Sequence, residues 1–194
     1  MTDEVILTLA VLGVAGQAVL AIVLGAGALR LAGVGGPLAW IRDVLWGYEL
    51  WAAFVVAAIA TVGSLFFSEV ADFPPCELCW FQRIFMYPLA IVTLLPAVAS
   101  DYRVARYLLP LPLLGAGVSV YHILVENGVV KETQSCQASA PGGCAVKWVD
   151  ELGYITIPTL ALTAFALVFV LLLLAVLEAK EASNEPSAGP VPHC

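Results

Sequence analysis

The sequence predicts an all-α integral membrane protein: a four-helix transmembrane bundle plus one additional N-terminal transmembrane helix, five spans in total. Three observations carry this. Hydrophobic residues make up 61% of the chain and charged residues only 12%, about half the charge of a typical soluble domain. Mean hydropathy is +0.96. Apolar runs of about 18 residues or more, each able to cross the hydrocarbon core as a helix, recur along the chain. The 194 residues suffice for one helical membrane domain and leave no room for a second folded one. A net charge of −7 speaks against nucleic-acid binding, which needs clustered Lys and Arg.

The first span runs from about Val5 to Leu29. It opens on Met1-Thr2-Asp3-Glu4 with no basic n-region, and no small-residue cleavage site follows, so it is expected to remain as a helix. A connector from Gly33 to Tyr48 contains the break Gly35-Gly36-Pro37. Its Trp40, Trp46 and Tyr48, with the nearby Trp51, suit a membrane interface. Residues 1–48 thus form an extra N-terminal unit. Residues 49–177 form the four-helix domain, with spans over Leu50–Phe67, Cys79 to just before Ser100, Ala105–Val125 and Ile155–Leu177. The tail 178–194 is polar, carries three prolines and reads as disordered.

Arg30 and Arg42 flank the first connection, and Arg103 and Arg106 the connection between spans three and four. The positive-inside rule makes both cytoplasmic. The N-terminus is then outside and the tail inside. Cys76, Cys79, Cys136 and Cys144 share the outer face, where disulfides persist, and Cys194 falls on the other side.

The sharpest motif is Phe73-Pro74-Pro75-Cys76-Glu77-Leu78-Cys79-Trp80-Phe81-Gln82-Arg83. Two prolines cannot continue a preceding helix but suit the first turn of a new one. The Cys-x-x-Cys therefore lies in a helical first turn, where unpaired N–H groups and the dipole favour negative charge. A thiolate is stabilised there, and the thiolate is the reactive form. Arg83 follows one turn after Cys79 on roughly the same face. It can place a positive charge beside the sulfur or donate to a ligand carbonyl. The alternatives are a static disulfide and a structural zinc site. Zinc wants four ligands, which a second cysteine pair could complete, but an arginine beside a metal thiolate pair is unhelpful. No metal is expected.

The second pair, Cys136 and Cys144, brackets Gln137-Ala138-Ser139-Ala140-Pro141-Gly142-Gly143, whose last three residues signal a turn. The loop reads as flexible and polar. Its disulfide is either an exchange site reachable by another protein or a loop staple. Ala145, Trp148, Val149 and Leu152 then follow helical spacing, which predicts a short amphipathic helix on the membrane surface. Two dithiol pairs on one face suggest relay by thiol–disulfide exchange. His122 lies at about the depth of the cysteines, as a functional group or as an interfacial histidine satisfied by a backbone carbonyl. Gln82 is a pocket donor or a packing residue with an interhelical hydrogen bond.

These residues resemble the DsbB family of quinone-linked disulfide oxidoreductases, in particular its short BdbC-like branch. The resemblance rests on Pro75-Cys76-Glu77-Leu78-Cys79-Trp80-Phe81-Gln82-Arg83-Ile84-Phe85-Met86-Tyr87-Pro88, on Tyr121-His122, and on Gly153-Tyr154-Ile155-Thr156-Ile157-Pro158-Thr159-Leu160-Ala161. It covers about Trp51 to Leu177. It implies that Cys76 and Cys79 are the pair oxidised by quinone, of ubiquinone or menaquinone type, with Cys79 beside the ring. Arg83 then contacts the quinone, and His122 lies near its pocket. Cys136 makes the mixed disulfide with a thioredoxin-fold, DsbA-like partner, and Cys144 resolves it and exchanges with Cys76. The implied location is the plasma membrane. Three features depart from the pattern: the extra helix in residues 1–48, the short spacing of the second pair, and Cys194.

Vitamin K epoxide reductase-like proteins use similar chemistry on a similar bundle, but their loop cysteines precede the Cys-x-x-Cys, whereas here they follow it. A tetraspan scaffold with two stapled loops would make Arg83 dispensable. Metal transport is disfavoured because no span carries a pair of buried acidic residues.

Overall fold

A computed structural model describes residues 2–184. Cys194 and the tail beyond Asn184 lie outside the described residues. Among the described residues, five helices are long and apolar enough to cross a membrane. Helix α1 spans Thr2–Leu31, with Asp3 and Glu4 in its first turn and Arg30 in its last, charges that oppose the helix dipole at both ends. The connector folds into α2, Gly36–Leu45, with Pro37 in its first turn. The Gly-Gly-Pro break therefore starts a helix, because proline's missing N–H costs nothing there. Helix α3 spans Glu49–Glu69 and α4 spans Glu77–Ala99. After a 3-10 turn, the short α5, Ala105–Leu108, and α6, Pro110–Glu126, make the fourth span, jointed where Pro110 cannot donate. Helix α7, Gln134–Ser139, lies in the outer loop, and α8 spans Ile157–Asn184.

Helices α3, α4, α6 and α8 close a ring in which α3 and α6 each pack on both α4 and α8. Leu50, Ala53 and Ala57 of α3 meet Met86 and Leu89 of α4 and Phe165, Val168 and Leu172 of α8 in one core cluster. Gly115 of α6 lies so close to the Phe165 ring that any side chain there would collide with it. In lipid the drive between helices is close packing and hydrogen bonding, so small residues mark the contacts.

Helix α1 stands outside this ring, against α8. Its buried residues are Ala10, Gly13, Gly16 and Ala26. A Cβ on Gly16 would sit 2.9 Å from Leu167 Cδ1, so glycine sets the closeness of approach. Gln17 Nε2 donates to Thr163 Oγ1 at 3.3 Å, and the Tyr154 hydroxyl donates to Gln17 Oε1 at 3.0 Å. The far face, including Leu7, Val11, Ile22 and Leu24, is exposed for lipid.

Two expectations change, and a third holds span by span while the fold adds to it. The apolar run ends at Leu177, but α8 continues to Asn184, so the segment read as a disordered tail begins as helix. No helix forms over residues 145–152. Left-handed residues bracket that stretch, Gly142 and Gly143 before it and Leu152 and Gly153 after, and turns lead into an isolated bridge between Glu151 and Ile155. Val149 is buried, and Trp148 stacks on Phe73. The loop's helix is α7, upstream around Cys136. Finally, although no single span carries an acidic pair, the fold buries Glu49 of α3 and Glu178 of α8 side by side at the end remote from the cysteines.

Candidate redox site

Pro74 and Pro75 bring the chain in extended, and Cys76 caps α4 with ψ 171°. Its sulfur accepts the Cys79 backbone N–H at 3.3 Å, so the thiol occupies the place usually taken by a serine or aspartate oxygen. The two sulfurs of the motif are thiols 2.7 Å apart. Cys76 precedes the span. The hydrogen bond from the Cys79 thiol pulls its pKa from 9.0 down to about 5, against the penalty of burial, with further help from His122. Cys76 is the thiolate of the pair.

His122 Nε2 lies 3.8 Å from Cys76 Sγ and 3.2 Å from the Cys144 carbonyl oxygen. One imidazole edge thus faces a sulfur of the first pair and the backbone of the second. The histidine meets a backbone carbonyl, as one reading expected, and also approaches the Cys76 sulfur. Its Nδ1 is buried with no hydrogen-bond partner among the described residues.

Cys136 and Cys144 form a disulfide. The loop was read as flexible and accessible, yet these cysteines are only 2% and 1% exposed. They share a buried cluster with Cys76, Leu78 and Val125. The loop is pinned by its own polar groups. Thr133 Oγ1 accepts the Cys136 N–H at 3.2 Å, Glu132 accepts the Cys144 N–H at 2.9 Å, and Ser139 Oγ accepts the Glu77 N–H at 3.0 Å. Gly143 has φ +72°, a left-handed position that favours glycine, and a Cβ there would press on the end of the Glu132 side chain.

On the opposite side, Cys79 lines a cavity of about 230 Å³. Its polar lining comes chiefly from α3 and α4: Ser64, Cys79, Gln82 and Arg83. Arg83 is held there by Ser64, with Nε donating to the hydroxyl at 3.0 Å and Nη2 to the carbonyl at 2.8 Å. Its guanidinium also lies 5.2 Å from the Trp80 ring centroid, a cation–π distance. Gln82 Nε2 donates to Ser119 Oγ at 3.2 Å, so Gln82 both lines the cavity and bonds across to α6. Phe67, Phe73 and Trp148 stack in a row on the loop side of the cavity, with centroid spacings of 6.2 and 5.4 Å. His122, expected near the same pocket, does not line it and lies instead at Cys76 and the loop disulfide.

Cys76, Cys79 and His122 present three ligand atoms within 4.8 Å of one another. A closed tetrahedral zinc site uses four ligands, and the Cys76 and Cys79 thiols also lie close enough to pair with each other.

Ser64, Glu132 and Ser139 are the site residues that sequence reasoning missed. Ser64 carried a signal, being a hydroxyl within an apolar span. Glu132 and Ser139 had none, because their partners are backbone groups brought near only by the folded loop.

A dithiol that shares one imidazole with a second cysteine pair, at the end of a bundle of membrane-length helices, places the molecule among membrane thiol–disulfide oxidoreductases. Residues 47–175 match the family described as "Disulfide bond formation protein DsbB", and the chain belongs to that family. It is 44% identical over 131 residues to a probable disulfide formation protein of Deinococcus radiodurans, covering 64% of this chain and 86% of that protein. It is 42% identical over 130 residues to disulfide bond formation protein C of Bacillus subtilis, covering 64% and 90%. No solved structure matches the chain.

Proposed function

We propose that the chain reoxidises a thioredoxin-fold, DsbA-like protein and passes the electrons to a membrane quinone of ubiquinone or menaquinone type. The observation that carries this is the position of Cys79. Its sulfur is 2.7 Å from Cys76 on one side and lines the apolar cavity with Arg83 on the other. A flat, lipid-soluble ring with carbonyl oxygens fits that donor set: apolar walls, a guanidinium and an amide to meet the oxygens, and a sulfur as electron donor.

Cys136, Cys144, Cys76 and Cys79 are the proposed catalytic residues, with Arg83 and Gln82 as the quinone-binding ones. A partner thiolate attacks Cys136 Sγ, forming a mixed disulfide and releasing Cys144 as a thiolate. The partner's second thiolate attacks its own half of the mixed disulfide, leaving oxidised partner and the Cys136/Cys144 dithiol. The Cys144 thiolate then attacks Cys76 Sγ of an oxidised Cys76–Cys79 pair and expels Cys79. Cys136 resolves the Cys144–Cys76 bond, which restores Cys136–Cys144 and leaves Cys76 and Cys79 reduced. Bound quinone supplies the two-electron acceptor that returns Cys76 and Cys79 to the disulfide. Cys76 departs readily as a thiolate because the Cys79 thiol, the helix terminus and His122 stabilise its charge. Here His122 serves the exchange step between the pairs. Arg83 orients the acceptor, and the aromatic row keeps water from the cavity.

The cysteines face the extracytoplasmic side of the plasma membrane in this reading. Arg30, Arg42, Arg103 and Arg106 support it, because they lie on the connections at the span ends away from the cysteines, where the Tyr102 hydroxyl donates to the Gly47 carbonyl at 2.9 Å.

The test is oxidation of a reduced thioredoxin-fold protein by purified wild type and Cys79→Ala, with and without added quinone. Quinone-dependent turnover lost in the variant supports the relay. Absence of turnover with several quinones and partners, from folded protein with both pairs disulfide-bonded, refutes it in favour of a stapled scaffold.

A further inference from the structure

Helix α1 lies outside residues 47–175, the part that matches the family, and nothing in the electron relay above uses it. Yet Leu9, Leu12 and Gly13 of α1 line the cavity that holds Cys79 and Arg83. Resting on the quinone reading, we propose that α1 is the lateral wall of the quinone pocket and that Leu9 and Leu12 contact the prenyl tail. The pocket is then walled on one side by a helix added to the four-helix core.

The lining divides by chemistry. Its redox and cationic groups come from α4, whereas α1 and the facing part of α8 contribute Leu9, Leu12, Leu160 and Leu167. A ring with oxygens belongs with the first set and a hydrocarbon tail with the second. Thr163 of α8 also lines the cavity, but its hydroxyl donates to the Thr159 carbonyl and accepts from Gln17, so it adds no unpaired polar group to the apolar side.

The position of α1 is fixed rather than incidental. Gly13 and Gly16 let it sit directly on Leu160 and Leu167, and the ideal Cβ of Gly63 on α3 lies 3.3 Å from the Leu9 methyls. The Leu9 side chain therefore reaches across the groove between α3 and α8. Gln17 is held at both ends, by Thr163 and by Tyr154. Because Leu7, Val11 and Ile22 on the other face of α1 are exposed, the helix stands between the cavity and the surrounding lipid. A ligand entering from the bilayer on this side must pass it.

The experiment uses the full chain in detergent with a prenylated quinone carrying a photoreactive group on its tail. Labelled peptides are mapped in wild type, and quinone affinity is measured by quenching of tryptophan fluorescence in wild type and Leu9→Trp. The expected result is label within residues 2–31 and at least a tenfold rise in Kd for Leu9→Trp. Single-turnover exchange between Cys136–Cys144 and a reduced thioredoxin-fold protein, run without quinone, should keep its wild-type rate. Wild type that binds quinone but labels only α3, α4 and α8, or a Leu9→Trp Kd equal to wild type, overturns the role of α1 and leaves the functional reading intact. Wild type that binds no quinone overturns both.

Discussion

The protonation of Cys76 offers a direct trial of the site's electrostatics. With a pKa of about 5, roughly nine-tenths of Cys76 is thiolate at pH 6, whereas a thiol near 8.5 would be about 0.3% ionised there. The difference in thiolate at that pH is on the order of 300-fold. The largest cause is the hydrogen bond from the Cys79 thiol, and His122 adds a bond and a charge. Cys79→Ala should therefore move the midpoint upward further than His122→Phe does. Thiolate ultraviolet absorbance would report it, in protein with Cys136, Cys144 and Cys194 replaced by serine, against the same background carrying Cys76→Ser. Because the folded pKa is depressed, the reduced protein draws stability from this group that is complete above the unfolded value near 8.5. It loses that stability as pH falls towards 5, so reduced wild type should unfold more easily in acid than its Cys76→Ser variant relative to pH 9. A Cys76 midpoint at or above 8, or one that neither substitution moves, refutes the account.

Three further outcomes follow from the geometry. Ser64→Ala removes the hydroxyl that accepts from Arg83 Nε while leaving the carbonyl contact. A lost bond to a charged group is worth about 1.5–3 kcal/mol, so quinone KM should rise about tenfold or more with quinone-free exchange at Cys136–Cys144 unchanged. Gly143→Ala forces a side chain into a left-handed position against Glu132, at a cost of about 1–3 kcal/mol. Small thiols should then reduce Cys136–Cys144 faster, as read by alkylation and mass. Gly115→Ala drives a methyl into the Phe165 ring and should lower stability by about 1–3 kcal/mol, seen as a lower thermal midpoint in detergent.

Much of the architecture was legible because lipid enforces simple rules. Apolar runs located all five spans, and Pro75 before Cys76 located the start of α4, since proline fixes where a helix can begin. What failed failed for local reasons. The spacing of Ala145, Trp148, Val149 and Leu152 matched a helix, but the chain turns through left-handed residues at Gly142, Gly143, Leu152 and Gly153, and Trp148 is drawn onto Phe73. Hydropathy ended the last span at Leu177 because Glu178 is charged, and no window average can foresee that the fold buries it beside Glu49. Composition made the loop of Cys136 look open. Its burial depends on backbone N–H groups meeting Glu132 and Ser139, which single-residue character does not encode. That Cys79 and Arg83 would face the same space was readable from their spacing on one helix face, whereas the side of the cysteine pair that His122 would occupy was not.

The burial of Cys136 and Cys144 bears on how such a relay avoids leakage. An exposed disulfide coupled to a strong oxidant would drain any small thiol in the surroundings. Here the Cys136–Cys144 disulfide is carried by α7, which Ser139 clips to the Glu77 backbone, and Glu132 holds the Cys144 N–H. Small molecules gain nothing that offsets opening this loop, while a protein that binds the displaced loop does. Under the proposed relay, the loop would act as insulation, with its local stability setting the ratio of useful current to short circuit.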